Sequence, residues 1–378
     1  MLPFNRPYMT GREFDFIREA HANGKLSGDG PFSVRCHAWL EQHLGTGRAL
    51  LTPSCSSALE LAALIIGVSP GDEVIMPSYT FTSTANAFVL RGAVPVFVDI
   101  RADTMNIDEG LIERAVTSRT KAIVVVHYAG VACDMDVVQA IAARHGLVVV
   151  EDAAQGFGST WQQRALGSIG SLGCLSFHET KNVTCGEGGA LLVNDAALVA
   201  RAEIVREKGT DRSAFFRGEV DKYTWREAGT SGLPGELAAA FLWAQLLAAE
   251  DITERRLAIW NTYHAALADA EHQGWLRRPT VPNGCTHNAH MYYVLLPSLH
   301  ARTEVIRRLR EAGVQAVFHY VPLHASPAGQ RVGRVSGSMQ HTESLSQRLL
   351  RLPLWVGVDA ERVLAALGPA CAAECANA

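Results

Sequence analysis

The sequence lacks the features that mark several large classes of protein. No apolar run approaches the roughly 20 residues that cross a bilayer, and the most apolar segment, ALELAALIIG (58–67), is too short. The start, MLPFNRPYMTGREFDF, has no apolar stretch of the signal-peptide type. Eight cysteines occur, but none form a C-x-x-C pair, and no histidine cluster has zinc-site spacing. We therefore expect a cytoplasmic protein with reduced thiols, no metal site and no membrane segment.

A strong excess of charge is also missing. The 34 Lys and Arg residues against 38 Asp and Glu residues give a net charge of -4, so nothing indicates a nucleic-acid partner. The signatures G-x-G-x-x-G, G-x-x-x-x-G-K-[ST], H-E-x-x-H and G-x-S-x-G are absent as well. This charge balance does not exclude a small anionic ligand, because such a ligand needs only a local site.

What the sequence does contain is a regular α/β alternation from about residue 48. Short apolar runs separated by helical patterns predict a mostly parallel sheet covered by helices on both faces. The predicted strands are RALLTP, EVIMP, VPVFVDI, KAIVVVHY, LVVVEDA, GCLSFH and GALLV. The chain length of 378 residues favours a large domain with a smaller one.

The alternation stops near residue 210. One long helix is predicted over PGELAAAFLWAQLLAAEDITERRLAIW (234–260), followed by MYYVLLP as a strand, ARTEVIRRLREAG as a helix and VQAVFHY as a strand. These elements predict a small α+β domain over 251–378, after a large domain over 1–250 whose first 30 or so residues form an arm.

Two polar side chains stand out because they follow predicted strands, where ligands bind in a parallel sheet. Asp152 ends LVVVEDA, with Gln155 three residues on, and a carboxylate there can hold a positively charged ligand atom. Lys181 lies between GCLSFH and the glycine-rich GEGG (186–189). Lysine is rarely buried without a function, and desolvation makes its neutral amine a nucleophile for carbonyl groups. Taken alone, Asp152 fits a turn cap and Lys181 an exposed loop residue at least as well.

Two further segments complete a pattern. TPSCSSALELAAL (52–64) reads as a strand, a turn of small polar residues and a helix start, which suits a phosphate as well as a plain serine cap. Tyr79 or Phe81, after EVIMP, can lie over a flat ring or belong to the core. Pyridoxal phosphate (PLP) requires a lysine, a carboxylate for its pyridine nitrogen, a phosphate seat and a stacking ring. All four occur after predicted strands of one domain, which predicts a PLP enzyme.

The motifs EDAAQG (151–156), SFHETKN (176–182) and GEGGA (186–190), in this order and spacing, resemble the DegT/DnrJ/EryC1/StrS nucleotide-sugar aminotransferases of fold-type I. The resemblance extends from NRPYMTG and KLSGDGPF to HYVPLH (319–324) and RLLRLPL (348–354). It implies a PLP-dependent aminotransferase that works as a homodimer, with active sites built at the subunit interface.

The resemblance also implies roles for individual residues. Lys181 would carry the cofactor covalently and move a proton between the substrate carbon and the cofactor. Asp152 would keep the pyridine nitrogen protonated, and Gln155 would hydrogen-bond the phenolic oxygen of the ring. Phe81 would stack on the ring. The role of His178, which lies in the motif, stays open.

The same resemblance assigns the phosphate to the backbone N–H of Cys55 and to the hydroxyls of Ser56 and Ser176. Most of the family has a Gly-Thr pair where this chain has Cys55-Ser56, so the turn must tolerate a side chain. Most members also carry G-x-N-x-R before the long helix, with the Asn reaching the partner's phosphate. Here Ser231 replaces that Asn and Leu233 the Arg, which puts the cross-subunit contact in doubt because serine is shorter.

Within the family, GKLSGDG, GDEVIMPSYTF, VHYAGVAC and VDKYTWR resemble the branch that makes a sugar of enterobacterial common antigen. This implies transfer from L-glutamate to C4 of dTDP-4-dehydro-6-deoxy-D-glucose, giving dTDP-4-amino-4,6-dideoxy-D-galactose. The alternatives are amino transfer to another nucleotide sugar, amino transfer at C3, or formation of the gluco product at C4. A PLP-dependent dehydratase of the family is disfavoured because such enzymes replace the lysine with histidine. A scaffolding or regulatory relative without catalytic activity is disfavoured because the Asp152–Lys181 pair is intact.

Overall fold

The computed structural model describes residues 1–375, and side-chain environments through residue 372. Its strands are β1 (Arg48–Thr52), β2 (Glu73–Pro77), β3 (Val94–Val98), β4 (Thr120–Val126), β5 (Val148–Asp152), β6 (Thr160–Trp161), β7 (Arg164–Ala165), β8 (Leu172–Ser176), β9 (Gly189–Val193), β10 (Cys285–Thr286), β11 (Tyr292–Leu295), β12 (Arg334–Val335) and β13 (Leu349–Leu352).

Helices account for most of the remaining regular structure. They are α1 (Glu13–Ala22), α2 (Pro31–Leu44), α3 (Cys55–Ile65), α4 (Thr82–Val89), α5 (Glu109–Ala115), α6 (Met135–His145), α7 (Val199–Arg206), α8 (Arg212–Phe216), α9 (Glu236–Leu246), α10 (Ala249–Ala266), α11 (Ala268–His272), α12 (Leu299–Glu311), α13 (Pro327–Val332), α14 (Gln340–Arg348) and α15 (Ala360–Cys375).

The main sheet has eight strands in the order β1-β9-β8-β5-β4-β2-β3-β12. Only β9 runs against its two neighbours, so the predicted mostly parallel sheet is confirmed. Successive side chains of β2 enter different cores: Val74 and Met76 pack with α3 and α4, whereas Ile75 packs with α5 and α6. Both faces are therefore covered by helices, which explains why the strands are apolar throughout.

Two further cores lie away from the helices that cover these two faces. Helices α1, α2 and α9 pack on the β1–β9 end of the sheet, so the N-terminal arm lies against the large sheet. In the C-terminal part of the chain, α10, α12 and α15 pack with the antiparallel pair of β11 and β13. No helix within residues 1–375 combines the length and apolar character that crossing a membrane requires.

The structure corrects two predictions from the sequence. The helix predicted over 234–260 is two helices, because α9 ends at Leu246 and α10 begins at Ala249. The break lets the chain pass from one core to another, since Ile252 packs with α9 whereas Trp260 packs with α12 and α15. No glycine or proline marks it.

The strand predicted for VQAVFHY does not form. Only isolated bridges occur there, Leu2 with Val314 and Val317 with Arg351, and Tyr320 has a φ of 40° that a strand cannot accommodate. The segment instead runs along the cavity described below. The division into domains at residue 250 stays a prediction, and β12, from the C-terminal part, pairs with β3 of the large sheet.

Candidate active site

One cavity of about 860 Å³ lies at the carboxyl ends of the parallel strands. The ends of β1, β2, β5 and β8 lead directly into segments that line it. It is bordered by seven of the eight residues predicted from the sequence: Cys55, Ser56, Phe81, Asp152, Gln155, Ser176 and Lys181. The convergence follows from parallel strand geometry, because all carboxyl ends meet at one edge.

Asp152 is the last residue of β5 and is buried. Its Oδ2 accepts a hydrogen bond of 2.7 Å from the hydroxyl of Thr84, and its Oδ1 accepts one of 3.2 Å from the backbone N–H of Ala154. Burial raises the pKa of Asp152, and these two hydrogen bonds oppose the rise. A cationic ring nitrogen in the cavity would supply the counter-charge that the buried carboxylate lacks.

Lys181 reaches the same cavity from the loop after β8. Its backbone N–H donates to the carbonyl oxygen of His178 in a tight turn, and the neighbouring Asn182 anchors the loop by donating to the carbonyl oxygen of Asn288 at 2.7 Å. Burial lowers the pKa of Lys181, whereas the charge of Asp152 opposes that change. The lowered pKa favours the neutral, nucleophilic amine.

The start of α3 forms a seat for an oxyanion. The side chain of Ser54 caps the helix by accepting from the N–H of Ser57 at 3.1 Å, so the N–H groups of Cys55 and Ser56 have no acceptor within the helix. The hydroxyl of Ser56 lies 2.6 Å from that of Ser83, and Ser176 borders the same cavity. Free N–H groups and hydroxyls at a helix start fit a phosphate.

At Gly189, strand β9 passes very close to the start of α3, where this seat lies. A Cβ at that position would lie 2.5 Å from the backbone nitrogen of Cys55 and from the carbonyl carbon of Ser54. Only glycine permits β9 to approach the first turn of α3 so closely. The donor set and the close approach together fit the phosphate of PLP.

Gln155 and Phe81 line the cavity at different depths. The Oε1 of Gln155 accepts from the N–H of Ala129 at 2.7 Å, and its Nε2 donates to the hydroxyl of Tyr320 at 3.2 Å, which leaves one N–H for a ligand. The ring of Phe81 is 57% exposed and lies 6.3 Å from that of Tyr320, so one face remains open for stacking.

Two other residues singled out in the sequence differ in their relation to the cavity. Ser231 is exposed, bridges to Glu207 and does not line the cavity of its own chain. Its contact with a partner subunit therefore stays a prediction. His178 lines the cavity, with its Nδ1 2.9 Å from the Thr180 hydroxyl and its Nε2 3.7 Å from Glu187.

The cavity also contains residues that the sequence reasoning missed as site residues. His290, His319, Tyr320 and Arg351 come from the C-terminal part of the chain. The segments HYVPLH and RLLRLPL contain three of them, so the resemblance to the family pointed to these segments, but they follow none of the strands predicted for the large parallel sheet. Within the part of the chain that the structure describes, no group of three or more His, Cys, Asp or Glu residues could hold a metal ion.

Comparison with known proteins agrees with this geometry. The sequence profile of the DegT/DnrJ/EryC1/StrS aminotransferase family matches residues 7–367. The spore coat polysaccharide biosynthesis protein SpsC from Bacillus subtilis is 34% identical over 370 residues, covering 96% of this chain and 94% of SpsC.

Solved structures show the same fold. The aminotransferase TlmJ from Streptoalloteichus hindustanus superposes with a TM-score of 0.90 at 31% identity, over 99% of this chain and 100% of TlmJ. The PLP form of Spr1654 from Streptococcus pneumoniae superposes with a TM-score of 0.89 at 25% identity, over 98% of this chain and 99% of that one. The chain therefore belongs to the DegT/DnrJ/EryC1/StrS aminotransferase family and is a PLP-dependent sugar aminotransferase.

Proposed function

We propose that the protein transfers an amino group from L-glutamate to C4 of dTDP-4-dehydro-6-deoxy-D-glucose, giving dTDP-4-amino-4,6-dideoxy-D-galactose and 2-oxoglutarate. The observation that carries the chemistry is that Lys181 and Asp152 border one cavity together with a phosphate seat. The choice of sugar is supported by the resemblance of GKLSGDG, GDEVIMPSYTF and VDKYTWR to the branch that makes this product.

The cavity offers a consistent set of roles for the cofactor contacts. We assign the phosphate to the N–H groups of Cys55 and Ser56 and to the hydroxyls of Ser56 and Ser176. Asp152 would hold the proton on the pyridine nitrogen, while Thr84 fixes the orientation of that carboxylate through its 2.7 Å hydrogen bond. PLP supplies, when bound, an aldehyde that accepts the amino group and a ring that withdraws electrons.

The remaining contacts orient the ring and move the proton. Phe81 would cover one face of the ring, and Gln155 would use its free N–H on the phenolic oxygen. Lys181, whose pKa is lowered by burial, would bind the cofactor as a neutral amine and later take the proton from the substrate carbon. A dehydratase that uses histidine at this position is disfavoured by the same lysine.

The biological role we propose is the synthesis of a sugar for a surface polysaccharide, of which enterobacterial common antigen is the case the resemblance implies. The name of SpsC, a spore coat polysaccharide biosynthesis protein, supports polysaccharide synthesis in general. We further propose a cytoplasmic homodimer in which the exposed Ser231 meets the phosphate of the partner subunit.

A panel assay tests the substrate. The purified, cofactor-loaded protein is incubated with glutamate and with dTDP-4-dehydro-6-deoxyglucose, its UDP counterpart and the 3-keto isomer, and amino-sugar products are measured by mass spectrometry. We expect the dTDP 4-keto sugar to be preferred. Proton NMR of the product decides the configuration, because an equatorial H4 has small couplings to both neighbours. Large couplings would mean the gluco product, and preference for another keto sugar would replace the proposed acceptor.

A further inference from the structure

Arg351, on β13, borders the cavity without a carboxylate partner among residues 1–372. Its buried Nε has no hydrogen-bond partner, and its one hydrogen bond runs from Nη2 to the carbonyl oxygen of Phe318 at 3.3 Å. Its guanidinium carbon lies 4.7 Å from the centre of the Phe4 ring. Most of the five N–H donors of this arginine are therefore uncommitted.

Leaving a largely buried guanidinium unpaired is costly, because desolvation removes hydration that no fixed anion replaces. The same burial lowers the pKa of Arg351. The acidic residues that border the cavity are Asp152, which bonds to Thr84, and Glu187, whose side chain is 72% exposed beside His178. Neither pairs with Arg351, so the cavity holds a cation whose anion has to come from a ligand.

We propose that Arg351 binds a carboxylate of the amino donor. The inference rests on the proposed transamination and extends it to the recognition of an α-amino acid. The planar guanidinium can donate two parallel N–H···O hydrogen bonds to a carboxylate, and the aromatic ring of Phe4 covers one of its faces.

The position of Arg351 favours a carboxylate over the diphosphate of the nucleotide sugar. Arg351 is close enough to Lys181 for its charge to lower the pKa of that amine. The α-carboxylate of an amino acid is bonded to the carbon from which Lys181 must take a proton. The diphosphate of a nucleotide sugar, in contrast, is attached across the hexose ring from C4.

Equilibrium binding isolates the carboxylate site from the chemistry. Glutarate, a dicarboxylate without an amine, is titrated calorimetrically into cofactor-loaded wild type, Arg351→Met and Arg351→Lys. Loss of charge-assisted hydrogen bonds should raise the Kd of Arg351→Met about 10- to 150-fold. Arg351→Lys should also bind more weakly, because an ammonium cannot form the planar pair.

Arg302 provides a matched control. Its Nε is also buried without a hydrogen-bond partner, and its guanidinium lies 5.4 Å from the Phe318 ring, but it does not border the cavity. Arg302→Met should therefore leave the Kd for glutarate unchanged. Unchanged glutarate binding in a folded Arg351 variant, or no glutarate binding by the wild type, would overturn the proposal.

Two further measurements separate binding of the donor carboxylate from binding of the diphosphate and from a structural role of Arg351. Titration with dTDP reports the nucleotide site, and a loss of dTDP binding without loss of glutarate binding in Arg351→Met would assign the arginine to the diphosphate instead. Single-turnover spectroscopy then follows the two half-reactions separately. Arg351→Met should impair amino transfer from glutamate and spare transfer to the keto sugar, whereas equal impairment of both halves would indicate a structural role.

These measurements also distinguish failure of the carboxylate site from failure of the proposed function. A wild type that binds glutarate through Arg351 and reacts with glutamate, yet aminates none of the keto sugars, would refute the proposed acceptor and leave the carboxylate site standing.

Discussion

Gly189 is a position where one added carbon should damage the proposed phosphate seat directly. In Gly189→Ala the new Cβ would lie 2.5 Å from the nitrogen of Cys55 and 2.7 Å from the carbonyl oxygen of Ser54. Both are backbone atoms, so no side-chain rotation can relieve the contact. Because Gly189 pairs with Thr52 in the β1–β9 ladder, either this ladder or the first turn of α3 must move.

The size of that movement sets the expected effect. Carbon atoms approach favourably at about 3.5–4.0 Å, so β9 and α3 must separate by about 1 Å. Such a shift takes one N–H group out of hydrogen-bonding range of the phosphate. Losing a hydrogen bond to a charged group costs about 1.5–3 kcal/mol, which raises the Kd for PLP about 10- to 150-fold. Overpacking should lower the free energy of unfolding by about 1–3 kcal/mol as well.

Cofactor titration tests this reasoning. Cofactor-free Gly189→Ala is titrated with PLP and with pyridoxal, which lacks the phosphate, and the visible absorbance of the bound form is followed. The loss of affinity should be large for PLP and small for pyridoxal. Gly47→Ala serves as the control, because its Cβ would lie 3.3 Å from the carbonyl oxygen of Val193 at the other end of the same strand pair.

The reasoning would be refuted by a variant that binds PLP within about threefold of the wild type, a factor worth less than 0.7 kcal/mol. Equal losses for PLP and pyridoxal would also refute it, since they would place the damage outside the phosphate seat.

Four other predictions address single groups of the site. Lys181→Ala should lose turnover and all covalent attachment of PLP; a cofactor adduct in the intact mass after borohydride reduction would contradict the assignment. Asp152→Asn should still bind PLP but lose most activity, because a neutral amide cannot hold the ring proton; near-normal turnover would exclude that role. Ser231→Ala should raise the Kd for PLP modestly, and sedimentation should show a weaker dimer without cofactor; unchanged values would remove the cross-subunit contact. Burial and the charge of Arg351 lower the pKa of Lys181, so PLP capture should fall only as the pH drops through that lowered pKa, and Arg351→Met should move the midpoint of an absorbance titration to higher pH.

The sequence by itself determined the α/β sheet and seven of the residues that border one cavity. Apolar runs of strand length separated by helical patterns specify a covered parallel sheet, and the carboxyl ends of parallel strands meet at one edge. For that reason Asp152, Lys181 and Ser56, which lie at or shortly after the ends of strands, could be grouped from the sequence. Local signals sufficed because each of these residues is positioned by the strand directly before it.

Tertiary structure alone decided the rest. The break between Leu246 and Ala249 has no glycine or proline to announce it, and it arises because α9 and α10 pack into different cores. Arg351 meets Phe4 and the Lys181 cavity only because β13 packs beside the N-terminal segment. Contacts between residues so far apart in the chain depend on how whole elements pack, and no local pattern of residues encodes that packing.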